Sequence, residues 1–434
     1  KNGVSAAGGG AYNQGKIESS ANNVIGMTFD TGSNSKVFRN HGNGEINLTG
    51  DKSTAMYATG NGTYTAENNA KITLGNSSDA NNPNVGMFTD KSQITLKNTG
   101  TIAAGDKTAA MYGYGINTDA SSDISVGSGA TGIYSKGGNV HLRGKLATGG
   151  NEAVGVYTVG AGQTITNDAT NVNIGDGSYG FVIKNAAGGN TFTSNTANVS
   201  LGNNVVYAYS TDTTGTMTNN TKLNSTGNEN YGLYGAGTIT NNADIDFGSG
   251  IGSVGIYSIK GGTATNTAGK TITIGASNVS GQKYGIGMAA GYENSDTGKI
   301  INKGTINVNG KNSIGMYATG NGSVATNDGT INLGADGTQG MYLDNGAKGI
   351  NNGTITTVGN PNGAIGVTVR GGAEITNNGT ININSSNGYA FALLKGGIIK
   401  NYGTFTVGNG AQKLYEPKAK PTGKGVAGVE INAP

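Results

Sequence analysis

Tyrosines recur along this chain at a nearly constant interval: Tyr57, Tyr112, Tyr134, Tyr157, Tyr234, Tyr257, Tyr317 and Tyr342, with Phe88 in one further place of the same kind. Such a row has two uses. The rings can stack on sugars or meet another protein, since Tyr offers large contact area at little entropic cost, or they can stack on one another and shield a sheet. Charged chemistry is sparser. Asp244 and Asp246 stand two residues apart, a spacing that puts both carboxylates on one side of a strand. They could act as acid and base on a polysaccharide, or lie solvated at the surface. The two histidines, His41 and His141, are far apart in sequence and read as surface or corner residues, without a shared metal or proton relay.

Other motifs dissolve on inspection. GxGxxG occurs at 127–132, 175–180 and 250–255, but each copy leads into a strand-like segment, and the helix N-terminus that would hold a pyrophosphate is missing. AGKT at 268–271 has Ala264 where a phosphate loop needs its first Gly. GxSxG and the calcium-binding GGxGxDxUx nonapeptide are absent, and with Cys 0 there is no thiol nucleophile, disulfide or Cys-ligated zinc. No catalytic residue, cofactor or metal is expected, so the chain reads as a non-enzyme, with a polysaccharide-processing role kept as the minor alternative.

What must position the tyrosines is a repeat. AMYATGNGT at 55–63 returns as GMYATGNGS at 315–323. The same core can be followed from an anchor Gly or Ala at 26, 55, 86, 110, 132, 155, 180, 208, 232, 255, 285, 315, 340, 366 and 390, about 15 anchors spaced by ~26 residues. The next residue is always apolar, as Met27, Met56, Ile133, Leu233 and Met316 illustrate, and is expected to face inwards. A second element, written GTINV at 304–308 and GTINL at 329–333, alternates apolar and polar residues around Ile46, Ile72, Ile102, Ile306 and Ile331. A weaker third element contains Ile165, Ile239, Ile301, Ile375 and Ile399. The chain is therefore expected to be all-β: a right-handed parallel β-helix of about 15 coils of ~26 residues, three short strands per coil.

Asparagine keeps the beat too. Asn68, Asn98, Asn195, Asn219, Asn241, Asn302, Asn327, Asn351, Asn377 and Asn401 each stand four residues before the apolar centre of the second element. Asn tolerates a left-handed corner, and stacked amides can bond from coil to coil as a ladder. Alternation places the tyrosines two residues past the anchor on the outside, beside an exposed Gly or Ala track.

Composition narrows the setting. The chain has 434 residues with 80 Gly, only 12% charged residues and a net charge of +3, which points away from nucleic acid and from an anionic membrane surface. No apolar run approaches the ~18 residues of a membrane helix. Residues 1–411 read as the repeat domain and 412–434, with Pro417 and Pro421, as a linker or the start of another segment; the start at Lys1 in mid-pattern suggests an excised piece. Intervals lengthen at 75–84, 275–283 and 289–299, and the last carries Tyr292, Glu293 and Asp296, the mixed chemistry of a contact loop. Lys136, Lys184, Lys260, Arg370 and Lys395 follow the anchor strand, with Asp30, Asp90 and Asp344 in similar places, as ordinary solvated surface.

The GMYATG and NNGTI motifs and the Cys-free Gly/Asn/Thr composition resemble the passenger regions of monomeric (type Va) autotransporters, most closely the large fusobacterial surface adhesins, over roughly residues 20–411. The resemblance implies secretion, display outside the outer membrane through a C-terminal barrel that this fragment lacks, and binding of host-cell glycans or proteins or of partner bacteria. An inert stalk that presents a distal module is the alternative. Self-association is possible through strand edges, and no nucleic-acid contact or direct membrane insertion of the fragment is expected.

Overall fold

The computed structural model describes residues 4–6, 9–292, 295–416 and 429–431. The chain divides into two compact units, Lys1–Thr216 and Met217–Pro434. Each is a parallel β-solenoid. The described residues form about 16 turns with three strands per turn and contain no helix. Strand pairing runs past the repeat motif at both ends, with Val4 aligned to Met27 and Leu414, in Gln412–Tyr415, aligned to Phe391.

In the second unit the three strands of a turn are distinct. An anchor strand such as Ile314–Thr319 is followed by an intermediate strand, Val324–Asn327, and a closing strand, Thr330–Leu333. The closing strands of this unit form an 8-stranded sheet of their own. In the first unit the intermediate and closing strands fuse in two turns into single long strands, Val140–Thr148 and Thr164–Ile174, with a register shift at Gly144/Lys145. Each strand pairs in register with its copy one turn away, as Met316↔Met341 and Ile331↔Ile355 show.

The core is a column of aliphatic residues. Ile46, Ile72, Ile102, Ile306, Ile331 and Ile381 of the closing strands are fully buried, as are Met27, Met56 and Met316 of the anchor strands. Each such side chain contributes about 2 kcal/mol of transfer free energy. The anchors themselves differ from the outward track expected. Ala55, Ala110 and Ala390 are fully buried, and the anchor glycines lie inside with them. Two consecutive residues face inwards because the strand bends here around the core. At Gly315 an added Cβ would lie 2.7 Å from Ile331 Cγ2 and 2.6 Å from the Gly340 carbonyl. The position therefore selects Gly or Ala on turns where a closing-strand isoleucine fills this space.

Pairing also corrects three assignments made from the motif. Phe181 aligns with Ala208, so the anchor of that turn is Tyr207, whose buried hydroxyl lies 2.7 Å from Ser194 Oγ. Met288 aligns with Met316, which moves the anchor from Gly285 to Gly287; the sequence GIGM permits both readings. Ile300 fills the core where Ile301 was expected, because Ile300 is the residue aligned with buried Ala264 and Ala325.

The asparagine ladder exists, with a different membership. Asn13, Asn40, Asn68 and Asn98 run through the first unit, each amide donating to the Oδ1 of the next at 2.7–2.9 Å. In the second unit Asn219, Asn241, Asn266, Asn302, Asn327, Asn351, Asn377 and Asn401 continue without a gap at 2.6–3.0 Å. Asn195 is outside it, bonded to Asp168, and Ser194 takes the ladder position, accepting from Asn167 at 3.2 Å. The ladder residues are buried at the ends of intermediate strands and are not left-handed. That conformation falls to other asparagines, such as Asn312, Asn345 and Asn387, with φ of 59°, 52° and 55°.

One buried carboxylate serves the same purpose in the first unit. Asp212 accepts from the backbone N–H groups of Gly188, Asn190 and Thr214 at 2.8–3.1 Å and from the Asn190 amide at 3.0 Å. Burial raises its pKa, but these bonds outweigh burial and hold the carboxyl below its ordinary value of 3.8. A depressed pKa stabilises the fold above the unfolded-state value, and that stability is lost as pH falls through the folded value.

Replacing Asn327 by Leu strands the amide of Asn302 and the carbonyl of Asn351, and should cost about 2–4 kcal/mol, whereas exposed Asn378→Ala should stay within about 0.5 kcal/mol. Urea midpoints of the two variants check this. Acid titration followed by circular dichroism should show the first unit losing stability below about pH 4, and less steeply in Asp212→Asn.

Candidate functional site

Because the anchor and the residue after it both point inwards, their neighbours on either side both point outwards. In the second unit these are Ile286, Ile314 and Gln339 on one side and Ala289, Tyr317 and Tyr342 on the other. A trough runs between the two rows, over the glycine column. Two insertions build it higher. The first, within 275–283, folds back on itself through paired backbone bonds between Asn278 and Lys283. The second closes with the Tyr292–Asp296 bridge. Together they give a groove of about 680 Å³ that takes in Tyr257, Tyr284, Tyr292, Tyr317 and Tyr342. Tyr292 is 58% exposed and Tyr284 39%, so their faces are available to a ligand.

The loop is held from below. Tyr257 donates its hydroxyl hydrogen to the Gly291 carbonyl at 2.8 Å, and Asp296 accepts from the Lys260 backbone N–H at 2.5 Å. Burial pushes the phenols of Tyr257 and Tyr317 above their ordinary range, so both stay neutral at physiological pH. At one end Arg370 lies 3.5 Å from Asp344 and 3.5 Å from the Tyr342 hydroxyl. These two charges, expected to be unremarkable surface, are part of the groove lining.

The row of tyrosines thus splits by environment. In the first unit the rings pack on one another: Tyr57 on Phe88 at 5.4 Å, Phe88 on Tyr112 at 5.5 Å, Tyr112 on Tyr134 at 4.5 Å with planes 2° apart, and Tyr134 on Tyr157 at 5.3 Å. Burial, with its neighbours Tyr112 and Tyr157, raises the Tyr134 phenol. In the second unit Tyr234 meets Tyr257 edge-on at 4.9 Å and Tyr231 at 5.6 Å. Of the candidate binding residues the structure brings Tyr257, Tyr292, Tyr317 and Tyr342 to one groove and leaves Tyr57, Tyr112, Tyr134, Tyr157, Tyr234 and Asp296 off its lining; Glu293 falls outside the described residues. The sequence reading missed Tyr284 and Val279, whose only signal was their place in or beside a lengthened interval, and the floor residues Ile286 and Gln339, which depend on the bend at the anchor.

The remaining candidates do other work. Asp244 and Asp246 are exposed, and each accepts a backbone N–H, from Thr271 at 2.8 Å and Gly248 at 2.9 Å. His141 Nε2 lies 2.6 Å from Asp168 Oδ2. Burial raises the Asp168 pKa, but bonds from Asn195 and His141 outweigh it and hold the carboxyl low. His41 packs edge-on against Tyr12 at 5.6 Å. Among the described residues no three His, Asp or Glu side chains converge as a metal site would require.

Residues 248–353, which include most of the groove, are similar to the family described as BigA third pectate lyase-like domain. No curated protein and no solved structure matches the chain.

Tyr257→Phe removes the hydroxyl that props the second insertion. It should leave the strands intact while costing the loop about 1 kcal/mol, seen as several-fold faster hydrogen exchange in 291–292 and 295–298.

Proposed function

We propose that this chain belongs to a bacterial surface protein and acts in adhesion, binding a ligand through the groove of its second unit without catalysis. The carrying observation is that both insertions of that unit meet the tyrosine row at one place, where Tyr284 and Tyr292 stay exposed. Insertions on a repeat scaffold are where recognition usually resides. The likeness of 248–353 to a pectate lyase-like domain and the passenger-like motifs support a β-helical surface protein displayed outside the cell. Host-cell glycans or proteins and partner bacteria are the ligands such a surface would meet. The first unit favours a second reading for its own part, as a spacer, because its rings are spent on each other.

Immobilised on beads, the chain should retain host cells or partner bacteria, and the double variant Tyr284→Ala, Tyr292→Ala should lose most of that retention with an unchanged dichroism spectrum. Equal retention by the variant would refute the groove as the binding surface. Polysaccharide depolymerisation abolished by Asp244→Asn with Asp246→Asn would refute the non-catalytic reading.

A further inference from the structure

We infer that the groove takes a neutral, linear oligosaccharide laid along the turn-to-turn direction; this rests on the adhesive reading and specifies its ligand class. Three features of the groove lead there. The first is what it withholds. Its floor strands pair with copies on both sides, Ile286↔Ile314↔Gln339↔Ile365, so no backbone edge is offered and a peptide could not add as an extra strand. The second is charge. Among the described lining residues Asp344 and Arg370 are the charged ones, and they lie 3.5 Å apart as an ion pair, so the described lining carries no net charge to match an acidic or basic ligand.

The third is the combination of surfaces and their repeat. The lining joins the exposed rings of Tyr284 and Tyr292 to the aliphatic Ile286 and Ile314 and to the planar amides of Gln282, Asn312 and Gln339. A pyranose has the complementary pattern, with C–H groups on its faces and hydroxyls around its edge. Neighbouring turns stack at ~4.8 Å, close to the advance per ring of an extended hexose chain, so each successive sugar would advance by one turn. From the turn of Tyr257 to that of Arg370 the groove spans the turns of Ala289, Tyr317 and Tyr342, room for roughly four rings.

Saturation-transfer NMR on the whole chain, with neutral linear oligomers of glucose, galactose and N-acetylglucosamine, tests this beside uronic-acid oligomers and a peptide library. At least one neutral series should bind, with affinity rising to about four rings and then levelling, and Tyr284→Ala and Tyr292→Ala should each weaken it at least ~10-fold while Tyr134→Ala does not. Preference for acidic oligomers or peptides, or binding insensitive to both groove tyrosines, would overturn the inference. If beads bearing the chain retain cells through the same two tyrosines and no neutral oligomer binds, the saccharide assignment fails and the adhesive reading stands. If neither is seen, both fail.

Discussion

A primary amide buried in a dry core brings one acceptor and two donors that all need partners, and a narrow solenoid has few to give. Here each ladder asparagine finds them in its own copies. Asn327 accepts from Asn302 and donates to Asn351, and its amide also reaches the Gly329 carbonyl across its own corner. The arrangement is satisfied only when every turn places the amide at the same height and angle. One interaction thereby fixes the register of adjacent turns and the path of the chain between the intermediate and closing strands. The glycine in the NNGT corner follows from it, because at Gly353 an added Cβ would run into the carbonyl of Gly329 one turn away.

With register fixed, the anchor bend is repeated at the same place on every turn and becomes a continuous surface feature. The bend turns two residues inwards and leaves two rows outside, so a trough is a by-product of enclosing the core. In the first unit aromatic residues close over it by stacking, from Tyr57 to Tyr157. In the second unit insertions rise on the flank, and the trough stays open between them and Tyr257, Tyr317 and Tyr342. Function, on this account, arises where the repeat is broken, and the repeat supplies the rigid ground against which the break is held.

Much of this was legible in the amino-acid order, and what was not has a physical cause. The strand triplets, the inward methionines and closing-strand isoleucines, and the coil-to-coil amide ladder follow from periodicity, because a fixed spacing of chemically similar residues has no other compact solution. Simple alternation failed at the anchor, since a strand that bends around a thin core breaks the two-residue rule and buries Gly315 together with Met316. Asn40, Asn167 and Asn266 escaped the spacing rule because their corners are one or two residues longer, and Asn195 satisfied it by accident. Of the groove, the tyrosine row and the contact loop could be named, whereas the partnership of Arg370 with Asp344 and the approach of Tyr284 depend on how two insertions fold back, which no repeat encodes.

The claim that buried amides set the register of the turns is tested most directly by side-chain amide hydrogen exchange measured by NMR. The Nδ2 protons of Asn302, Asn327, Asn351 and Asn377 should be protected as strongly as the backbone amides of the strands they join, while those of Asn378, exposed and held by one bond to Asn352 Oδ1 at 2.9 Å, exchange much faster. Ladder amides that exchange as fast as Asn378, in a chain whose strand amides remain protected, would contradict the account.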